Sequence, residues 1–195
     1  MSTLRTSLRS ASAAACDDAQ MGCSVGFARW RSDLPSGGNR YDDELAGALP
    51  SLGLEVRSYD VDGRWPLPGQ RDRERLAHLL TAERRWLIGN IVVSAVPEAV
   101  REATAEGRQV TLLLHYFPAD DTTLTAEQRE RVSESERQAV HAATAVVVTS
   151  RWAAGQVAAR YGRDDAVVAR PGVTPAPIAP GSATAGRPPR LLWLG

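Results

Sequence analysis

The feature that most restricts the fold of this chain is a regular exchange between two hydrophobic periods. Short apolar runs alternate with segments whose apolar residues return every three or four positions. Leu54–Tyr59, Trp86–Val93, Val110–His115, Ala145–Thr149 and Ala166–Ala169 read as strands. Cys23–Trp30 reads as a poorer first strand, because Arg29 and Arg31 interrupt it. Between them, Tyr41, Leu45, Ala48, Leu49 and Leu52 form one helical stripe, with Asn39 as N-cap, Asp42 as a first-turn acid and Gly53 as the stop. Further helices are predicted over Arg71–Glu83, with Leu76, Leu79 and Leu80 inward, and from Pro97 to Gly107. Thr125 and Gln128 have capping-box spacing, and Ser150 caps a helix that carries Ala153, Val157 and Tyr161 on one face and stops at Gly162.

This alternation predicts an α/β chain built as a Rossmann-like, doubly wound parallel sheet. Val110–His115 is apolar almost without a break, as in a strand covered on both faces. Sheets of this kind bind ligands beyond the carboxyl ends of the strands, where the strand order reverses. With the common order 3-2-1-4-5-6, the first and fourth strands are neighbours, and Gly37-Gly38 would meet His115-Tyr116.

The length of 195 residues suits one domain. Residues 1–22, rich in Ser, Arg and Ala, read as a disordered extension in which Met21 is an alternative start. Residues 23–173 form the predicted domain. Six prolines and three glycines in 171–189 mark 174–189 as a linker, and 190–195 as the first strand of a second, truncated domain.

Several chemistries are excluded by residue type. All 23 basic residues are arginine, so neither a Walker lysine nor a Schiff-base lysine is available. Equal numbers of acidic and basic residues give a net charge of zero, a poor basis for binding nucleic acid. Cys16 and Cys23 lie seven apart, with no zinc-type spacing, and the chain reads as cytosolic. No apolar run is long enough to span a membrane; peripheral membrane contact stays open. GxGxxG, HExxH and GxSxG are all absent.

The remaining candidates each carry two readings. Gly37-Gly38 is either a close-approach loop for an anionic ligand or a tight turn into a helix. His115, at the ligand edge of an apolar strand, is either a proton-exchanging or hydrogen-bonding residue or a histidine satisfied by backbone, and its position favours the first. His78 and His141 sit in helices as surface or packing residues. Asp120 and Asp121 suit sugar hydroxyls or, more simply, a solvated loop. Arg151 and Arg170 suit phosphate or, more simply, an exposed surface. Trp152 reads as core rather than as a stacking platform.

Several segments resemble, in order, the N-terminal half of family 4 glycosyltransferases. They are PSGGNRYDDELAGALPSLGLEV (35–56), VTLLLHYFPADDTTLTAEQ (110–128), ERQAVHAATAVVVTSRWAAGQVAARYG (136–162), VVARPGVTPAP (167–177) and the terminal RLLWLG. The resemblance covers residues 33–195 and implies a GT-B fold, two Rossmann-like domains facing across a cleft. It implies that this half binds the acceptor, and that the other half binds a nucleotide sugar and supplies a basic pair and an E-x7-E motif. It further implies transfer with retention of configuration and no required metal or other cofactor. By the same resemblance Gly37, Gly38 and Asn39 form the loop near donor phosphate and acceptor, and His115 lies near the reacting sugar. Tyr116, Asp120 and Arg151 are candidate acceptor or phosphate contacts, and Pro171-Gly172-Val173 leads to the interdomain hinge. The chain departs from the pattern in its first strand, SVGFARWR, and in Gly89-Asn90, where relatives often carry Asp-Gly. It also lacks the second domain, so the chain alone is expected to be inactive. A non-catalytic sugar- or protein-binding module and an inactive truncated product are the alternatives.

Overall fold

A computed structural model describes residues 23–30, 36–173, 175 and 177. The extension at 1–22, the strand at 190–194 and most of the linker lie outside the described residues. Six strands form one parallel sheet: β1 (Cys23–Arg29), β2 (Leu54–Asp60), β3 (Arg85–Gly89), β4 (Gln109–Leu114), β5 (Ala145–Val148) and β6 (Val167–Val168). The helices between them are α1 (Gly37–Ala48), α2 (Gln70–Leu79), α3 (Asn90–Val93), α4 (Pro97–Ala105), α5 (Ala126–Ala142) and α6 (Arg151–Tyr161). The alternation predicted from the sequence is therefore the architecture of the chain.

The strand order is β2-β1-β3-β4-β5-β6. This corrects the expected order: β3, not β4, lies beside β1. Gly26 explains how β3 fits there. Gly26 pairs with Trp86, and a Cβ on Gly26 would lie 2.5 Å from the Trp86 ring. The indole takes the space that a side chain on β1 would fill, and its Nε1 donates to the Leu80 carbonyl at 3.0 Å.

Handedness then distributes the helices. Right-handed crossovers put a helix on one face when the chain moves one way along the sheet and on the other face when it moves back. Among the described residues only the β1-to-β2 step runs in its direction, so α1 is the only described crossover helix on its face. The other face carries α2, α4, α5 and α6, whose Leu76, Val100, Ala139 and Val157 join Trp86, Ile88, Leu112 and Val146 in one core. The order reverses between β1 and β3, so the ligand crevice of such a sheet opens there, beside α1.

Three local expectations change. The third strand stops at Gly89, and residues 90–93 turn into α3, with Val92 and Val93 fully buried; an apolar run alone does not separate a strand from a buried helix. The α1 stripe is only partly covered: Leu52 is 73% exposed, because residues 49–52 leave the helix in a 3-10 turn that Gly53 closes at φ 85°. Trp152 is 65% exposed rather than in the core. The inward face of α6 is Ala153, Val157 and Tyr161, and Trp152 falls off that face. The capping box at Thr125 and Gln128, the Ser150 cap and the left-handed Gly162 stop form as predicted.

Gly26→Ala should lower stability by about 1–3 kcal/mol through overpacking against Trp86. A thermal melt checks this, and an unchanged midpoint would show that the Trp86 contact is not tight.

Candidate functional site

A cleft of about 680 Å³ opens at the carboxyl edge of the sheet. Gly37, Gly38 and Tyr41 of α1 line one side, and His115 and Thr149, just beyond β4 and β5, line the floor. Arg40 and Glu44 of α1, with Pro171, Gly172 and Val173, complete it. The predicted meeting of Gly37-Gly38 with His115 therefore occurs, although β1 and β4 are not neighbours. The span is possible because β3 ends early.

Asn90 fills the place above the end of β3. It is 1% exposed, its Oδ1 accepts from the His115 backbone N–H at 3.2 Å, and its Nδ2 donates to the Tyr116 carbonyl at 2.7 Å. The chain after β4 is thereby held across β3 toward α1.

His115 is gripped from the other side by Asp42. Its Nε2 lies 2.8 Å from Asp42 Oδ1, and Asp42 is 5% exposed. A carboxylate accepts only, so in the neutral imidazole this contact places the proton on Nε2 and leaves the lone pair on Nδ1. Among the described residues Nδ1 has no hydrogen-bond partner, and no buried side-chain polar atom is unsatisfied, so Nδ1 faces solvent. The arrangement gives the cleft one oriented acceptor. The Tyr41 ring stacks edge-on against His115 with centroids 5.2 Å apart, and the Tyr41 hydroxyl donates to the Ala169 carbonyl at 3.0 Å. Burial, and then the charge of Asp42, raise the Tyr41 pKa, so the hydroxyl stays a donor.

The glycine pair is not a turn. The N-cap is Ser36, not Asn39: Ser36 is extended and its Oγ accepts from the Asn39 backbone N–H at 3.0 Å. Gly37 and Gly38 are the first two helical residues, and neither has a positive φ. Among the described residues, a Cβ on Gly37 would meet nothing within 4 Å, and one on Gly38 would touch the His115 ring at an ordinary 3.8 Å. The fold therefore requires glycine at neither position, and glycine costs a helix up to about 1 kcal/mol against alanine. What glycine leaves is room beside His115 and bare N–H groups in a first turn, which has no internal partners for them. Asp42, expected as a first-turn acid, lies beyond that turn and is spent on His115.

The other predicted residues divide. Asn39 follows the pair in α1 with its backbone N–H committed to the cap. Tyr116 is 44% exposed, and burial of its ring, with nearby Asp121 and Glu136, pushes its pKa up to about 12. Asp120 is held by Arg160 in a two-pronged pair at 2.8 and 2.9 Å. Arg151 starts α6 in an exposed position. None of Asn39, Tyr116, Asp120 or Arg151 lines the cleft. Arg170 is exposed, as are His78 and His141. Among the described residues no cluster of His, Cys, Asp or Glu has the makings of a metal site, and no helix is long and apolar enough to cross a membrane.

Sequence reasoning missed Asp42 as the partner of His115, and Asn90 as the bridge. The signal for Asp42 was present, since i and i+4 from Gly38 share a helix face. No protein-family model matches the chain, and no curated protein matches it.

Gly37→Ala and Gly38→Ala should each leave the fold intact and raise its stability, by a few tenths to about 1 kcal/mol. Chemical denaturation checks this. A loss of stability in both variants would show that the fold itself needs the glycines.

Proposed function

We propose that this domain is the acceptor-side wall of a retaining glycosyltransferase that uses a nucleotide sugar. The observation that carries the reading is the glycine pair, which weakens α1, answers no backbone need and lies against an oriented histidine in a cleft. First-turn N–H groups and the positive end of a helix suit the diphosphate of such a donor. His115 Nδ1, an acceptor, suits a sugar hydroxyl. The two sit side by side, as a sugar phosphate requires. The order of the PSGGN, HYF and RPGV segments supports the same reading.

In this reaction the acceptor hydroxyl attacks the anomeric carbon while the bond from that carbon to the diphosphate oxygen breaks. The hydroxyl proton passes to the departing phosphate oxygen on the same face of the ring, so configuration is retained. The residues here form no covalent bond. The amides of Gly37 and Gly38 would take up charge that grows on the leaving group, and His115 would hold the ring in register. A second domain facing the cleft would hold the nucleotide and exclude water, so activity belongs to the assembled pair. The reading needs no divalent metal and puts the protein in the cytoplasm.

Protein expressed from the whole reading frame should release nucleoside diphosphate from at least one of a panel of nucleotide sugars when an acceptor extract is added. His115→Ala should lower kcat by about 100-fold, far more than the modest fall in melting temperature expected from leaving buried Asp42 without its partner. Sugar binding without turnover would support a binding module instead. Full activity in His115→Ala would refute the role given to that residue.

A further inference from the structure

Behind the cleft lies a carboxylate that the reading above leaves unused. Glu136 of α5 is fully buried, in the core between α3, α5 and α6. Its Oε2 accepts from the Tyr161 hydroxyl at 2.6 Å, and its Oε1 accepts from Asn90 Nδ2 at 2.8 Å and from Ser94 Oγ at 3.4 Å. A charge in such a place is costly unless it is fully hydrogen-bonded. Burial raises the Glu136 pKa, against the lowering pull of these three donors.

We infer that Glu136 and Asn90 act together as positioning residues for His115, with Glu136 deciding which way the Asn90 amide faces. An amide has an accepting end and a donating end of almost the same shape. Turned one way, Asn90 offers Oδ1 to the His115 N–H and Nδ2 to the Tyr116 carbonyl; turned the other way, both contacts are like against like. Oε1 of Glu136 fixes the choice, because it stands as an acceptor, from Ser94 Oγ as well, and so draws Nδ2. His115 is then fixed at two points, its backbone by Asn90 and its ring by Asp42. The relay runs from α5 through the top of β3 to the cleft, entirely through contacts of 3.2 Å or less. Tyr161 binds the same carboxylate through its other oxygen and makes no hydrogen bond to Asn90 or His115, so it provides an internal control.

The inference rests on the reading of His115 as the residue that meets the ligand, but one of its tests needs no ligand. Nitrogen-15 NMR of the His115 ring, at a pH where the ring is neutral, should show the proton on Nε2 in the wild type. Asn90→Ala and Glu136→Leu should lose that preference and give a mixture of tautomers. Glu136→Gln, which can still offer an oxygen to Asn90, should keep it. Tyr161→Phe should keep it even where stability falls. In turnover by the whole protein, Asn90→Ala should lower kcat about tenfold or more while KM for the donor stays nearly constant. A folded Asn90→Ala with wild-type tautomer and kcat would overturn the inference, as would a Tyr161→Phe that disturbs His115 equally. If the other two fail to fold, a Glu136→Gln or a Tyr161→Phe that loses the Nε2 preference would still overturn it. If the wild type transfers no sugar, the glycosyltransferase reading fails, while the NMR comparison still tests the relay.

Discussion

The cleft exists because β3 stops at Gly89. The order β1-β3-β4 puts a strand between the two chain segments that must meet, and a longer β3 would keep them apart. Ending the strand there and turning at once into α3 buries Asn90 in the gap. One side chain then supplies what the missing rungs of the ladder would have supplied: an acceptor for His115 N–H and a donor for the Tyr116 carbonyl. Buried backbone groups must be paired, and here the pairing also aims the chain at α1.

The two faces of the sheet are built differently. On one face, helices pack a continuous apolar core from Leu76 to Tyr161. On the other, α1 is tied down largely by polar contacts: Asp42 to His115, the Tyr41 hydroxyl to the Ala169 carbonyl, and Asp43 to Arg29 at 2.8 Å. The only buried residue of α1 is an aspartate. Contacts of this kind contribute less than apolar burial, so α1 belongs to the less stable part of the molecule. Two glycines at its start weaken it further. The helix that carries the candidate ligand groups is thus held, among the described residues, more by polar contacts than by a buried apolar face.

Local chemistry made much of this legible. Strand and helix periods, the Thr125–Gln128 box, the Ser150 cap and the Gly53 and Gly162 stops are written in residues next to one another, and they form as expected. Strand order is not local, and the space that Gly26 leaves for Trp86 is visible only once the strands are paired. Asn90 hid within an apolar run that reads as strand. Glu136 hid within SESER, a charged stretch that reads as a solvated helix face. Asp42 was legible as a helical acid but not as a partner, because His115 is 73 residues away. The Gly-Gly pair was the most ambiguous feature of the sequence. Its φ angles and uncrowded surroundings show no backbone need for glycine, and the proposed ligand role builds on that.

The central claim is that Gly37, Gly38 and His115 form one ligand site. Amide and imidazole chemical shifts followed during titration with nucleoside-diphosphate sugars test it most directly. The account predicts saturable shifts at the Gly37 and Gly38 amides and at the His115 ring together, abolished by His115→Ala or Gly38→Ala in a protein that stays folded. Shifts that leave these three groups unmoved while others saturate would contradict it.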